Sequence, residues 1–142
     1  MADIKLPITG GCLCGAVRYT ASAAPVVTRQ CWCRVCQYFG AGSSTVNAVF
    51  RTADVNMTGE VKYFSSRADS GNLLHRGFCP ACGTPLTSHA EIRPHLLILR
   101  TGTLDDPAIV KPAMDIWTGS APEWACLDPD LPQVAGQPPP AA

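Results

Sequence analysis

The chain has 142 residues, with 11 Lys+Arg against 11 Asp+Glu and a formal net charge of +0, so one domain is the expectation and charge makes no case for DNA, RNA or an anionic membrane as partner. No apolar run reaches the roughly 18 residues of a membrane-spanning helix. Charged residues are only 15% while Gly and Pro number 12 and 13, a balance that favours turns and short strands over long helices. The opening stretch Met1 to Pro7 lacks the apolar segment of a signal peptide, so a cytoplasmic location is expected.

In chain order, residues 16–21 alternate, with Val17 and Tyr19 on one face and Arg18 and Thr20 on the other, as in a half-buried strand. Residues 26–30 read as a second strand, 34–39 as one helical turn before Gly40-Ala41-Gly42, and 44–50 as a strand. Further strand signals lie at 60–64, after a turn at Thr58-Gly59, at 73–78, and at the apolar run 96–99. No long 3.6-residue period and no repeat is visible. Residues 1–131 are expected to form a single domain, and the Pro-rich segment 132–142 a disordered tail. The fold class expected is mainly β, from short strands with little helix.

Eight cysteines carry the chemistry: Cys12, Cys14, Cys31, Cys33, Cys36, Cys79, Cys82 and Cys126. In a reducing compartment they read as metal ligands or catalytic thiols before disulfides. Cys79-Pro80-Ala81-Cys82-Gly83 is a C-x2-C knuckle: two thiolates can bite one tetrahedral ion, and Gly83 permits the positive φ that closes the turn. Cys12-Leu13-Cys14 supplies two more sulfurs, which meet one ion if the chain is extended and residues i and i+2 face the same way. Together the four make a closed site, which is structural. Cys31-Trp32-Cys33-Arg34-Val35-Cys36 is different. Three thiolates on one zinc leave a fourth position for water, a thiol or a carbonyl oxygen. Cys126 as a fourth ligand would close it, and a redox dithiol at Cys33 and Cys36 is a further reading. His75, His89 and His95 read as surface or hydrogen-bonded residues, and Trp117 and Trp124 as caps on the core. Trp32, Arg34 and Gln37 lie nearest the open position in sequence and are the candidate substrate contacts.

The blocks Gly10-Gly11-Cys12-Leu13-Cys14-Gly15, Cys31-Trp32-Cys33-Arg34-Val35-Cys36-Gln37 and Gly77-Phe78-Cys79-Pro80-Ala81-Cys82-Gly83 occur in an order that resembles the glutathione-dependent formaldehyde-activating family, also called centromere-protein-V-like. Thr101-Gly102-Thr103-Leu104-Asp105-Asp106-Pro107 is a weaker match. The resemblance implies a small, mostly antiparallel zinc-bound β fold similar to that of a Rab exchange chaperone. It implies two zinc ions per chain: a structural one on Cys12, Cys14, Cys79 and Cys82, and a catalytic one on Cys31, Cys33 and Cys36. It implies a carbon–sulfur lyase that joins glutathione to formaldehyde as S-hydroxymethylglutathione, or handles a related thiol and aldehyde, with no nucleic-acid or membrane partner. The family commonly has His where this chain has Trp32, so an imidazole that could relay a proton is replaced by an indole. A non-enzymatic zinc-stabilised binding or thiol-redox module is the alternative.

Overall fold

Arg18 and Thr20 are exposed while Tyr19 and Ala21 are fully buried, and the same two-residue alternation builds the whole molecule. A computed structural model describes residues 4–141. In it β1 (Ile8–Gly11), β2 (Arg18–Ala21) and β5 (Val55–Thr58) form a three-stranded antiparallel sheet in the order β1-β2-β5. An eight-stranded sheet takes in β3 (Val27–Cys31), β4 (Thr45–Arg51), β6 (Lys62–Arg67), β7 (Leu73–Phe78), β8 (Pro85–Ala90), β9 (Leu96–Arg100), β10 (Met114–Ile116) and β11 (Gln133–Val134). Its order is β11-β10-β3-β4-β9-β8-β7-β6. Pairing is antiparallel from β3 through to β6 and parallel where β10 meets β3 and β11. One α-helix, α1 (Arg34–Phe39), follows β3. Among the described residues no helix is long and apolar enough to cross a membrane.

The two sheets meet through one set of alternating positions. Ile8, Tyr19 and Ala21 of the small sheet pack on Ala48, Phe50 and Leu99 of the large one, with Leu104 and Val110 closing the cluster. Burying Ile8, Phe50, Leu99 and Leu104 contributes roughly 1.5–3 kcal/mol each relative to exposure. Tyr19 keeps its hydroxyl satisfied by Thr103 Oγ1 at 2.7 Å. Because the core takes Ala48, Phe50 and Leu99, the intervening residues of β4 and β9, Asn47, Val49, Ile98 and Arg100, face the opposite way. That second face becomes a cleft.

The mainly β class, the short strands and the one helical turn agree with the sequence. The segment expected as a disordered tail is described here over residues 132–141. The three-residue β10 leaves an edge, and the tail fills it: Gln133–Val134 pairs with Asp115 and Ile116. The amides of Asp115, Trp117 and Gly119 donate to the carbonyls of Pro132, Gly136 and Ala135 at 3.0, 3.2 and 3.2 Å. A Pro-rich segment suits this place, since an edge strand needs proline's carbonyl and not the N–H it lacks. Pro138 is itself buried.

Candidate metal centres and the cleft beside them

β1 runs straight into a tight turn in which the Gly15 amide donates to the Cys12 carbonyl at 3.1 Å. The C-x-C pair therefore sits in a turn rather than the extended strand expected, and Gly15 at φ 81° closes it. The knuckle after β7 is built alike, with the Gly83 amide on the Cys79 carbonyl at 2.8 Å and Gly83 at φ 78°. Thr84 locks the two turns together: its Oγ1 accepts from the Leu13 amide at 3.2 Å and lies 3.1 Å from Cys82 Sγ.

The sulfurs of Cys12, Cys14, Cys79 and Cys82 lie within 4.8 Å of one another. Two separations are 3.6 Å (Cys12 to Cys14) and 3.8 Å (Cys14 to Cys79). Zinc–sulfur bonds of about 2.3 Å in a tetrahedron put sulfurs about 3.8 Å apart, so this cradle fits a metal ion. The Val17 amide points at Cys12 Sγ from 3.2 Å, the orienting contact that thiolate ligands attract. All eight cysteines are free thiols.

Cys31, Cys33 and Cys36 form the second group, again within 4.8 Å of one another and all buried. Cys31 ends β3, and Cys33 caps α1, its sulfur accepting from the Cys36 amide at 3.3 Å. The thiols of Cys31 and Cys33 hydrogen-bond to Cys36 and draw its pKa down, helped by Thr45 and by the Arg100 guanidinium, against the pull of burial. Cys31, the donor in that arrangement, is driven up. A thiolate-only donor set with sulfurs this close also fits a metal ion. Among the described residues Cys126 belongs to neither group and is exposed, so it does not close this one.

Beside the three-cysteine group lies a cleft, open to solvent, that reaches Cys31 and Cys36. Its floor is the outer face of the large sheet, with Asn47, Val49 and Ile98 beneath. The β6–β7 hairpin loop and the tail form its rims, through Asp69 and Gln137, and Trp117 borders it. Trp117 adopts φ 56°, packs against the cluster of Cys31, Cys33, Cys36 and Ile116 as a cap on that core, and donates Nε1–H to Gln137 Oε1 of the tail at 3.0 Å.

The three substrate-contact candidates lie outside this lining. Gln37 is buried and fully used: its amide donates to the Trp32 and Ser120 carbonyls at 2.8 and 3.0 Å and accepts from Arg34 at 2.7 Å. Trp32 is 2% exposed, a core residue, and meets the 71% exposed Trp124 edge-on, so Trp124 caps the core at Trp32. Arg34 stacks over Tyr38 on the outside of α1. The residues that follow Cys31 are carried away by the turn into α1, whereas the charges that reach the cleft are Arg29, two residues before Cys31 on β3, and Arg76 and Arg100 on the distant strands β7 and β9. Their signal was a single charge ending or interrupting an apolar run, as in Leu96 to Arg100.

The crystal structure of a Rhodobacter sphaeroides protein resembles this chain with a TM-score of 0.56 at 20% identity, over 73% of this chain and 91% of that one, and shares its fold. No curated protein matches the sequence. The glutathione-dependent formaldehyde-activating enzyme family matches residues 7–120, a span that includes both cysteine groups and most of the cleft, and the chain belongs to that family.

Proposed function

We propose that the protein is a carbon–sulfur lyase-type enzyme that joins a thiol to a small aldehyde, glutathione and formaldehyde or a related pair, in the cytoplasm and as one domain. The metal at both sites is zinc: Cys12, Cys14, Cys79 and Cys82 hold a structural ion, and Cys31, Cys33 and Cys36 hold the catalytic one. The observation that carries this reading is the three-cysteine group, with no fourth ligand among the described residues, at the wall of a cleft. When bound there, zinc supplies a Lewis acid that favours the thiolate form of a substrate thiol and polarises a carbonyl oxygen. The chain's own part is placement and charge. The cleft seats both reactants on one rigid sheet face, which removes much of the entropic cost of their meeting. Arg76 and Arg100 put positive charge beside the sulfurs. In the overall reaction the thiol sulfur bonds to the carbonyl carbon and the thiol proton passes to the oxygen, giving a hemithioacetal. That addition is already easy in water, so the barrier left to lower is small.

The test is metal and free thiol per chain on protein kept reduced. About two zinc ions and about one reactive thiol, Cys126, are expected from the two ligand sets. The rate of adduct formation from glutathione and formaldehyde should then exceed background and fall to it in Cys36→Ser. About one zinc with about four reactive thiols would overturn the reading in favour of a zinc-stabilised thiol-redox module.

A further inference from the structure

Two of the chain's three histidines stand together and belong to neither cysteine group. His75 of β7 pairs directly with His89 of β8, and Ser65 of β6 pairs with His75 from the other strand beside it. Residues paired directly across antiparallel strands share a face of the sheet. Glu91 joins that face two residues past His89, where its backbone amide donates to the Leu73 carbonyl at 2.9 Å. The His75 and His89 ring centres are 5.0 Å apart, their planes tilted by 42°. Tyr63 of β6 meets the His89 ring edge-on.

Ser65 sets the ring of His75. Its Oγ is hydrogen-bonded to Nδ1 at 2.6 Å, and Nε2 lies 3.6 Å from Glu91 Oε1. That second gap exceeds the roughly 2.7–3.2 Å of a hydrogen bond from nitrogen to oxygen. It matches two ligands of one ion, since bonds of about 2.0–2.2 Å at angles of about 90–120° put donor atoms about 2.9–3.7 Å apart. The same bonds put the centres of two imidazoles on one ion about 4.5–5.5 Å apart, and the observed 5.0 Å lies inside that range. Burial, and after it His75, hold the His89 imidazole below its ordinary pKa; only the neutral ring ligates a metal. The three donors are less closely gathered than the sulfurs of either cysteine group. Glu91 closes the difference by moving, because its side chain is 64% exposed and free to swing.

We propose that His75, His89 and Glu91 form a third metal site, for a divalent ion of the zinc, nickel or copper class. Imidazole nitrogens select ions of that class. Three protein ligands leave a position for water or an external donor. Ser65 acts through His75, fixing the tautomer that presents Nε2 to the ion. Two neutral rings and one carboxylate hold an ion less firmly than three or four thiolates, so this ion exchanges while those on the cysteines stay. The site is independent of the reaction proposed above and stands or falls apart from it.

The probe is Ni²⁺ alone, added to the zinc-loaded full chain, with the zinc content followed by elemental analysis. Ni²⁺ is paramagnetic, so it broadens the NMR signals of the rings that ligate it. A further ion should bind per chain and broaden the His75 and His89 rings, while His95, in the turn before β9, stays sharp. By calorimetry, His89→Gln and Glu91→Gln should each weaken nickel binding at least about ten-fold. Glu91 is exposed, so its variant keeps the test open even if His89→Gln does not fold. No saturable nickel binding, equal broadening of His95, unchanged affinity in either folded variant, or nickel uptake matched by zinc release would each overturn the proposal.

Discussion

Cys126 is the one cysteine for which spacing and geometry give different weights. By sequence it was eligible as a fourth ligand to the Cys31, Cys33 and Cys36 group; in the structure it is exposed and belongs to neither group. Cys126→Ser should therefore leave the metal content unchanged, whereas Cys36→Ser should release about one ion per chain while the other stays bound; elemental analysis of both variants decides it. A second residue-scale prediction concerns His89. Burial, and after it the His75 ring with its centroid 5.0 Å away, holds the His89 imidazole below its ordinary 6.5. A folded-state value below the unfolded one means that the folded molecule resists protonation. Stability from this group is thus intact above about 6.5 and declines as pH falls below it. An NMR titration of the His89 ring should give a midpoint under 6.5; a midpoint at or above that value would show the ring to be free of both influences. The seven clustered cysteines were legible in the sequence because a metal cradle needs fixed short spacings within each half-site. The cleft arginines were not. Arg29, Arg76 and Arg100 come from β3, β7 and β9 and share a face only through strand register, which no local pattern encodes.

At the scale of elements, legibility followed the strength of local chemistry. Helix α1 over Arg34–Phe39 and strand β7 over Leu73–Phe78 have the limits read from sequence, the first because Cys33 caps it and a glycine-rich turn ends it. β1, β5, β8, β10 and β11 were not expected. β1 contains two glycines and no alternation, and β10 and β11 are three and two residues long and exist through pairing with neighbours. Glycine at the end of β5 offers a controlled test. Gly59 and Gly42 have nearly the same backbone, φ 97° and 98°. A Cβ on Gly59 would stand 2.2 Å from the Ala16 carbonyl oxygen, while one on Gly42 would meet nothing within 4 Å. Gly42→Ala bears backbone strain alone, about 1 kcal/mol, and Gly59→Ala adds a collision with backbone that cannot move aside without unpairing β2 from β5, for a total of about 3 kcal/mol or more. Urea denaturation of the two variants measures the difference. Equal losses would mean that the turn at Gly59 shifts freely and that the small sheet is not held where the four-cysteine cradle needs it.

For the whole molecule, the same tail bears on both stability and the cleft. The four-cysteine group ties the turn after β1 to the turn after β7, so it stitches the small sheet to the large one at one end. At the other end of the strand order nothing comparable guards β10. Its outer edge is covered by residues 132–136, through the carbonyls of Pro132, Ala135 and Gly136. The chain then continues across the cleft rim, where the Pro139 carbonyl accepts from Arg29 and Gln137 holds the Trp117 indole. Ending the chain after Leu131 removes those three backbone bonds and three side-chain bonds, the third from Thr118 Oγ1 to the Val134 carbonyl at 3.3 Å. At about 0.5–1.5 kcal/mol each, partly replaced by water, the loss is about 2 kcal/mol. For a chain of this length that lowers Tm by on the order of 5–10 °C. Trp117 should become more solvated, shifting its fluorescence to the red, while both metal ions stay in place because neither ligand set includes a tail residue. A truncated protein with unchanged Tm and emission would return residues 132–142 to the disordered state expected from their composition. A truncated protein that lost the Cys31, Cys33 and Cys36 ion would instead show that β10 and its covering strand hold β3, and with it Cys31, in the position the site requires.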